Sequence, residues 1–407
     1  PAVWASLNAG SILQLPFGSE RDVGLLLLSA IGVFAITTVG STFDVASYAY
    51  NRFDLRNMVA ILSNLSRVVV VVALFNLFVP RLSYVGIGLV ASSLVTLGGA
   101  VIVWRRLMPG VGIDLHSFNR RVLRKLMYTG GWVVVDSIGA MLLLSADLLL
   151  ANRLLGPVVG GEYAAVLQWG VMLRGIGGSI SATFAPTILY LYARNDDPAL
   201  VDYVRRSIRF VGLLMALPAG LICGVSRPLL QVWLGDSFVH LSALLCILTL
   251  HLGINVGASP LFTLQFAANR LRTPAVFTCL SGLAHIGLSM LLASPLGLGA
   301  LGIAISGALM YTLKCTVFAP LYARRIIGHG GRGFAREIGV VVGATCGIAL
   351  AAWGITLAVP CGSWTALILI CVTASALYAA LLFRAILSDD EKDRLRSLVL
   401  GERGCGQ

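Results

Sequence analysis

The chain has 407 residues, of which 57% are hydrophobic and only 12% charged, and its mean hydropathy is +0.89. Soluble globular chains carry about 25% charged residues, so this composition excludes a soluble enzyme, a disordered chain and a coiled coil. Lys and Arg number 30 against 18 Asp and Glu, for a formal charge of +12. Eleven apolar runs are long enough to cross about 30 Å of hydrocarbon at about 1.5 Å per residue. They cover 23–45, 57–79, 84–104, 128–151, 163–191, 208–226, 240–266, 274–293, 298–321, 338–358 and 364–384. Segments of that length predict an all-α polytopic membrane protein and exclude the short alternating strands of an outer-membrane barrel.

The basic residues test this division. The loops 46–56, 105–127, 192–207, 267–273, 322–337 and the tail after 383, with Arg209 at one edge, hold 23 of the 30. The intervening loops hold Arg21, Arg81, Arg153 and Arg227, and the spans hold Arg67, Arg174 and Lys314. Because cytoplasmic loops are enriched in Lys and Arg, the alternation puts the basic loops and the C-terminus inside and Pro1 outside. Topology thus accounts for the positive charge, and with no nucleic-acid motif present no nucleic-acid partner is expected. The chain opens without a basic, signal-like segment. The eight cysteines sit mostly in apolar runs without CxxC or zinc spacing. They read as small apolar residues rather than metal ligands or disulfides, and no metal or other cofactor is expected.

The chain also repeats itself. NRFDLRNMVAILSNLSR at 51–67 matches NRLRTPAVFTCLSGLAH at 269–285 at an offset of 218. Further on, GIGLVASSL at 86–94 resembles GIAISGAL at 302–309, and Arg105–Arg106 resembles Arg324–Arg325. The matched spans are six crossings apart and run the same way, so the halves should be related by an axis along the membrane normal. The expected organisation is an incomplete N-terminal bundle of three helices over 1–125 and a six-helix bundle over 126–336. Two additional helices over 337–387 and a cytoplasmic tail over 388–407 follow. The offset predicts about 90 further residues before Pro1 in the intact protein, room for three helices and fourteen spans in all.

At this point the chain resembles the polysaccharide exporters, or O-antigen-type flippases, of the multidrug/oligosaccharidyl-lipid/polysaccharide superfamily. The resemblance rests on SYAYNRFDLRN (47–57), SADLLLANRLLGPVVGGEYA (145–164), ATFAPTI (182–188), VWLGDSF (232–238) and FTLQFAANRLR (262–272). It implies two pseudo-twofold-related bundles facing a central cavity in a bacterial cytoplasmic membrane. It also implies alternating-access movement of a polyprenyl-diphosphate-linked oligosaccharide between leaflets for surface polysaccharide synthesis, with no bond made or broken. The rival readings are a cation-coupled multidrug antiporter of the same superfamily, a peptidoglycan-precursor flippase and a truncated, non-transporting membrane protein. A membrane glycan polymerase or ligase fits less well, because the outer loops are short.

Ionisable groups inside a span are costly and normally face a cavity or a partner. Arg174 lies about 16 Å into its span, beyond snorkelling reach. Its forked donors suit a diphosphate, or it pairs with Asp136 or Asp147. Arg67 lies at mid-span, and the repeat sets His285 opposite it in the other lobe. The two could converge on an anion site, or His285 could be a neutral core residue. Asp136 and Asp147, eleven residues apart on one expected helix, form either an H+ or Na+ coupling pair or structural ion pairs. Lys314 either joins the substrate site or snorkels to the cytoplasmic surface. Pro186 and Pro218 should kink their spans. The basic cluster from Arg105 to Lys125 marks topology and could hold anionic membrane lipids.

Overall fold

The structure, a computed structural model, describes residues 20–50, 52–112, 119–328, 334–358 and 363–382. The expected tail at 388–407 lies outside the described residues. Among the described residues all regular structure is helical. Nine helices among the described residues are long and apolar enough to cross a membrane. They match nine of the eleven expected spans. The expected spans 163–191 and 364–384 fall instead on a broken pair, Pro157–Ala182 and Ala185–Ala193, and on the shorter helix Trp364–Leu381, with the expected end at 384 outside the described residues.

The chain divides into two compact units, Pro1–Arg120 and Arg121–Gln407. The first holds α1 (Glu20–Ala49), α2 (Phe53–Leu77) and α3 (Leu82–Leu107). Small residues let these helices approach. A Cβ on Gly86 would lie 2.6 Å from Ser29 Oγ of α1, and one on Gly99 would lie 2.6 Å from Val59 of α2. Hydrogen bonds replace apolar association where lipid offers no hydrophobic drive between helices. Ser63 donates to the Ser92 carbonyl at 2.8 Å, and Thr96 donates to Ser63 at 2.8 Å. Arg56 joins Asp44 across α1 and α2 at 2.9 Å. Large side chains such as Met58, Val69 and Leu77 stay exposed on the outer face, as lipid-facing residues should.

The second unit begins with α4 (Arg120–Leu144), α5 (Ala146–Leu155), α6 (Pro157–Ala182) and α7 (Ala185–Ala193). It continues through α8 (Asp197–Gly224), α9 (Ser226–Leu234), a 3-10 turn (Asp236–Leu241), α10 (Ser242–Leu250), α11 (Leu252–Gly257) and α12 (Ser259–Ala267). The last elements are α13 (Arg272–Ala293), α14 (Gly299–Leu313), a π turn (Lys314–Phe318), α15 (Ala319–Ile327), α16 (Ala335–Ala358) and α17 (Trp364–Leu381). The repeated sequences fold as corresponding helix pairs, α2–α3 in one unit and α13–α14 with its continuation in the other. The Asn-Arg pair of the repeat has a backbone role. Asn269 adopts φ 50, a left-handed conformation that Asn tolerates. Asn269 N–H donates to the Phe266 carbonyl and Arg270 N–H to the Gln265 carbonyl, which closes α12.

Pro218 sits inside a continuous α8, whereas the chain breaks at Thr183–Phe184, just before Pro186 at the start of α7. Proline is tolerated in the first helical turn, where its missing N–H costs no bond. The break therefore falls upstream of Pro186.

Helix α8 is the axis of the second unit. Its Gly212, Ala216, Gly220 and Gly224 recur every four residues and form one smooth stripe. A Cβ on Gly220 would lie 2.8 Å from the Thr345 carbonyl of α16, and one on Gly224 would lie 2.6 Å from the Ala349 carbonyl. Tyr378 of α17 adds a hydroxyl bond to the Leu213 carbonyl at 2.8 Å. The two C-terminal helices are thus packed into this unit. Gly220→Leu is expected to destabilise the docking of α16 by about 1–3 kcal/mol or more through overpacking. Thermal unfolding in detergent measures it against Gly354→Leu, whose side chain enters open space.

Candidate functional site in the second unit

The polar groups of the second unit are gathered by local turns. Gly156, at φ 95, ends α5, and Pro157 starts α6 at once. Gly160 lets the two helices close, since a Cβ there would lie 3.0 Å from Asn152 Cα. The antiparallel pair sets Tyr163 against Asp147, and the Tyr163 hydroxyl donates to Asp147 Oδ2 at 2.9 Å. Asp147 does not continue the helix of Asp136. The expected single span 128–151 is interrupted at Ser145, and Asp147 sits in the first turn of α5, where the helix dipole favours a carboxylate.

Helices α13 and α14 complete the cluster. His285 is 0% exposed and Asp147 5%. His285 Nε2 lies 2.6 Å from Asp147 Oδ1. The contact is not an aligned hydrogen bond, and neither atom has a hydrogen-bond partner among the described residues. On the other side of the ring, Nδ1 lies 3.0 Å from Ser306 Oγ and 3.3 Å from Ser289 Oγ. The Ser306 hydroxyl donates to the His285 carbonyl at 2.9 Å. Backbone proximity shapes the floor. A Cβ on Gly307 would come within 3.5 Å of both carboxylate oxygens and 3.4 Å of the imidazole.

Arg174 lies on α6, half-buried. Its guanidinium is within electrostatic reach of Asp147, Tyr163 and Tyr311 and of His251. It makes no ion pair among the described residues. Asp147 is instead taken by His285 and Tyr163.

Asp136 has a separate set of partners. Thr278 donates to its Oδ1 at 2.6 Å, and Lys314 Nζ stands 3.9 Å from the same oxygen. Lys314 is 8% exposed and lies over the Phe262 ring at 5.1 Å. It opens the π turn, a local widening of the helix, and points inward rather than to the surface. Close approach of α4 and α13 makes the Thr278 bond possible. Gly139 would place a Cβ 2.6 Å from Cys279 N, and Gly282 would place one 2.9 Å from the Gly139 carbonyl. Asp136 and Asp147 therefore serve two distinct clusters.

Arg67 belongs to the first unit. It is exposed on α2, with its Cγ stem beside Gly88, and makes no ion pair among the described residues. Tyr163 and Ser306, which complete the Asp147–His285 cluster, carry no sequence signal that separates them from other span residues. Asp44 and Arg56 carry no such signal either, because both sit at span ends where charge is ordinary. Tyr163→Phe is expected to cost about 1.5–3 kcal/mol, the value of a hydrogen bond to a charged group. Thermal unfolding of the purified variant measures it.

Apolar helical spans with ionisable clusters buried among them define a multi-pass membrane protein. Residues 9–191 match the family described as "Polysaccharide biosynthesis protein". Over 396 residues the chain is 32% identical to a protein of Bacillus subtilis (strain 168) described as an uncharacterized membrane protein, EpsK, covering 96% of this chain and 78% of that one. The chain therefore belongs to the polysaccharide biosynthesis protein family of membrane proteins. Its fold is similar to that of "Lipid II flippase MurJ, inward closed conformation", with a TM-score of 0.61 at 12% identity over 94% of this chain and 78% of that one.

Proposed function

We propose that this protein is a transporter, not an enzyme, which flips a polyprenyl-diphosphate-linked oligosaccharide across the bacterial cytoplasmic membrane by alternating access. Its C-terminus would be cytoplasmic, as the alternation of basic loops requires. The cargo's lipid tail would stay among membrane lipids while its diphosphate crosses. Family membership and the flippase-like fold support the class.

One observation carries the choice of cargo: the span carboxylates are occupied while the span arginines are not. Asp136 is held by Thr278 and Lys314, and Asp147 by His285 and Tyr163. Arg174 and Arg67 have no ion pair among the described residues. A cationic drug needs a free carboxylate, whereas a diphosphate needs free guanidinium donors. Lys314 and His285 then act on carboxylates rather than on the cargo.

The same geometry favours H+ over Na+ as the coupling ion. Asp147 faces an imidazole at 2.6 Å, a side chain type that exchanges protons, and the groups near it are Tyr163 and Arg174 on α6 and His251 beside α11, with Tyr311 on α14 against His251. A sodium ion prefers a shell of oxygens, and Asp147 is occupied by the imidazole and the tyrosine hydroxyl.

Proteoliposomes holding a fluorescent polyprenyl-diphosphate oligosaccharide test the proposal. Protein-dependent movement of the glycan to the outer leaflet, faster under an imposed pH gradient, is expected. Movement of a lipophilic cation with no movement of the glycan would overturn it.

A further inference from the structure

A cavity of about 1,130 Å³ in the second unit opens between α8, α9, α10 and α16. Three thiols line it, those of Cys223, Cys246 and Cys346, together with Arg227, Asp236 and Gln231. Cys223 is near the end of α8, and Cys246 is in the second turn of α10. They are 23 residues apart, a spacing with no motif value, and only the packing of α8 on α10 unites them. The Cys246 thiol donates to the Cys223 carbonyl at 3.2 Å and to Ser226 Oγ at 3.4 Å. In the orientation set by the basic loops, this end of α8 faces outward, away from the reducing cytoplasm.

We propose that Cys223 and Cys246 are a dithiol–disulfide site that ties α8 to α10 at the mouth of this cavity. Two features favour this pair. Neither thiol is locked inside a solid core: both are half-buried and both border the cavity, so a small reagent reaches them. Each also belongs to a different helix, so the new bond is a crosslink between elements that are otherwise held by packing. Cys346, on α16, borders the same cavity but makes no hydrogen bond to Cys246 among the described residues, and stands outside the pair.

The oxidation balances as an exchange. One cysteine thiolate attacks a low-molecular-weight disulfide, forms a mixed disulfide and releases one thiol. The second cysteine thiolate then attacks the protein sulfur of the mixed disulfide, forms the Cys223–Cys246 bond and releases the second thiol. The protein loses two electrons and two protons, and the reagent becomes two thiols. Fixing the α8–α10 contact restricts sliding of these helices, so the oxidised form should transport more slowly.

The test uses the full chain in lipid nanodiscs, treated with oxidised glutathione, then alkylated and mapped by peptide mass spectrometry. A crosslinked peptide pair joining Cys223 and Cys246 is expected, reversed by dithiothreitol. In Cys223→Ser or Cys246→Ser the crosslink should vanish, while Cys346→Ser should keep it. Size-exclusion profiles matching the unsubstituted protein show that each variant is folded. A fully alkylatable Cys223–Cys246 pair after oxidation overturns the proposal, as does a crosslink of either one to Cys346. The readout is chemical and does not depend on cargo, so it stands or falls separately from the flippase reading.

Discussion

Arg174→Ala is expected to abolish cargo movement while the protein inserts, folds and purifies normally. The guanidinium has no ion pair to lose among the described residues, so truncation removes little stability. A group half-buried on α6 at mid-span nevertheless bears a desolvation cost that only an anion can offset. Losing one partner of a desolvated charge contact costs about 2–5 kcal/mol, which is at least about a thirtyfold loss of transport. Arg174→Lys separates charge from geometry. It should recover part of the rate, because an ammonium keeps the charge without the forked donors. Surface polysaccharide in cells complemented with each variant is the measurement. Normal export with Arg174→Ala would remove this residue from the mechanism.

Asp147→Ala should have the largest effect on stability. It leaves His285 in a site with 0% exposure, facing Ser306, Ser289 and the Gly307 backbone. Removing one partner of a buried pair typically costs about 3–5 kcal/mol, whereas replacing both by apolar residues of similar volume is often neutral. The double variant Asp147→Leu, His285→Leu should therefore recover much of the thermal stability lost by Asp147→Ala. Proton coupling should not return with it, because neither ionisable group remains between α5 and α13. Transport by the double variant should be insensitive to an imposed pH gradient. If it responds to the gradient as the unsubstituted protein does, the pair is a structural tie and coupling lies elsewhere.

Much of the architecture was legible in the order of residues. Hydrocarbon thickness imposes a minimum length on each apolar run, and the cost of moving Lys and Arg outward biases the loops. Nine of the expected crossings reappear at the expected places. The family resemblance rested on segments at helix ends, where Gly156, Pro157 and the Asn269–Arg270 pair have backbone roles. Those are readable because they act through their own φ and ψ angles. The break at Ser145 was not readable, since SADLLLAN continues the apolar run without a Gly or Pro.

What the sequence determined by itself is the set of membrane helices and the list of charged groups that must find partners inside them. It could not assign those partners. Asp147 had Arg174 as an obvious candidate, yet His285, 138 positions away, holds it. Lys314 turned inward to Asp136 because a π turn redirects it. Cys223 and Cys246 met because α8 packs on α10. The physical reason is the same in each case. Crossing a membrane depends on composition summed along one helix, whereas ion pairs and thiol contacts depend on atoms a few ångströms apart on different helices. That proximity is set by glycines such as Gly139, Gly160, Gly282 and Gly307, whose missing side chains decide which backbones touch.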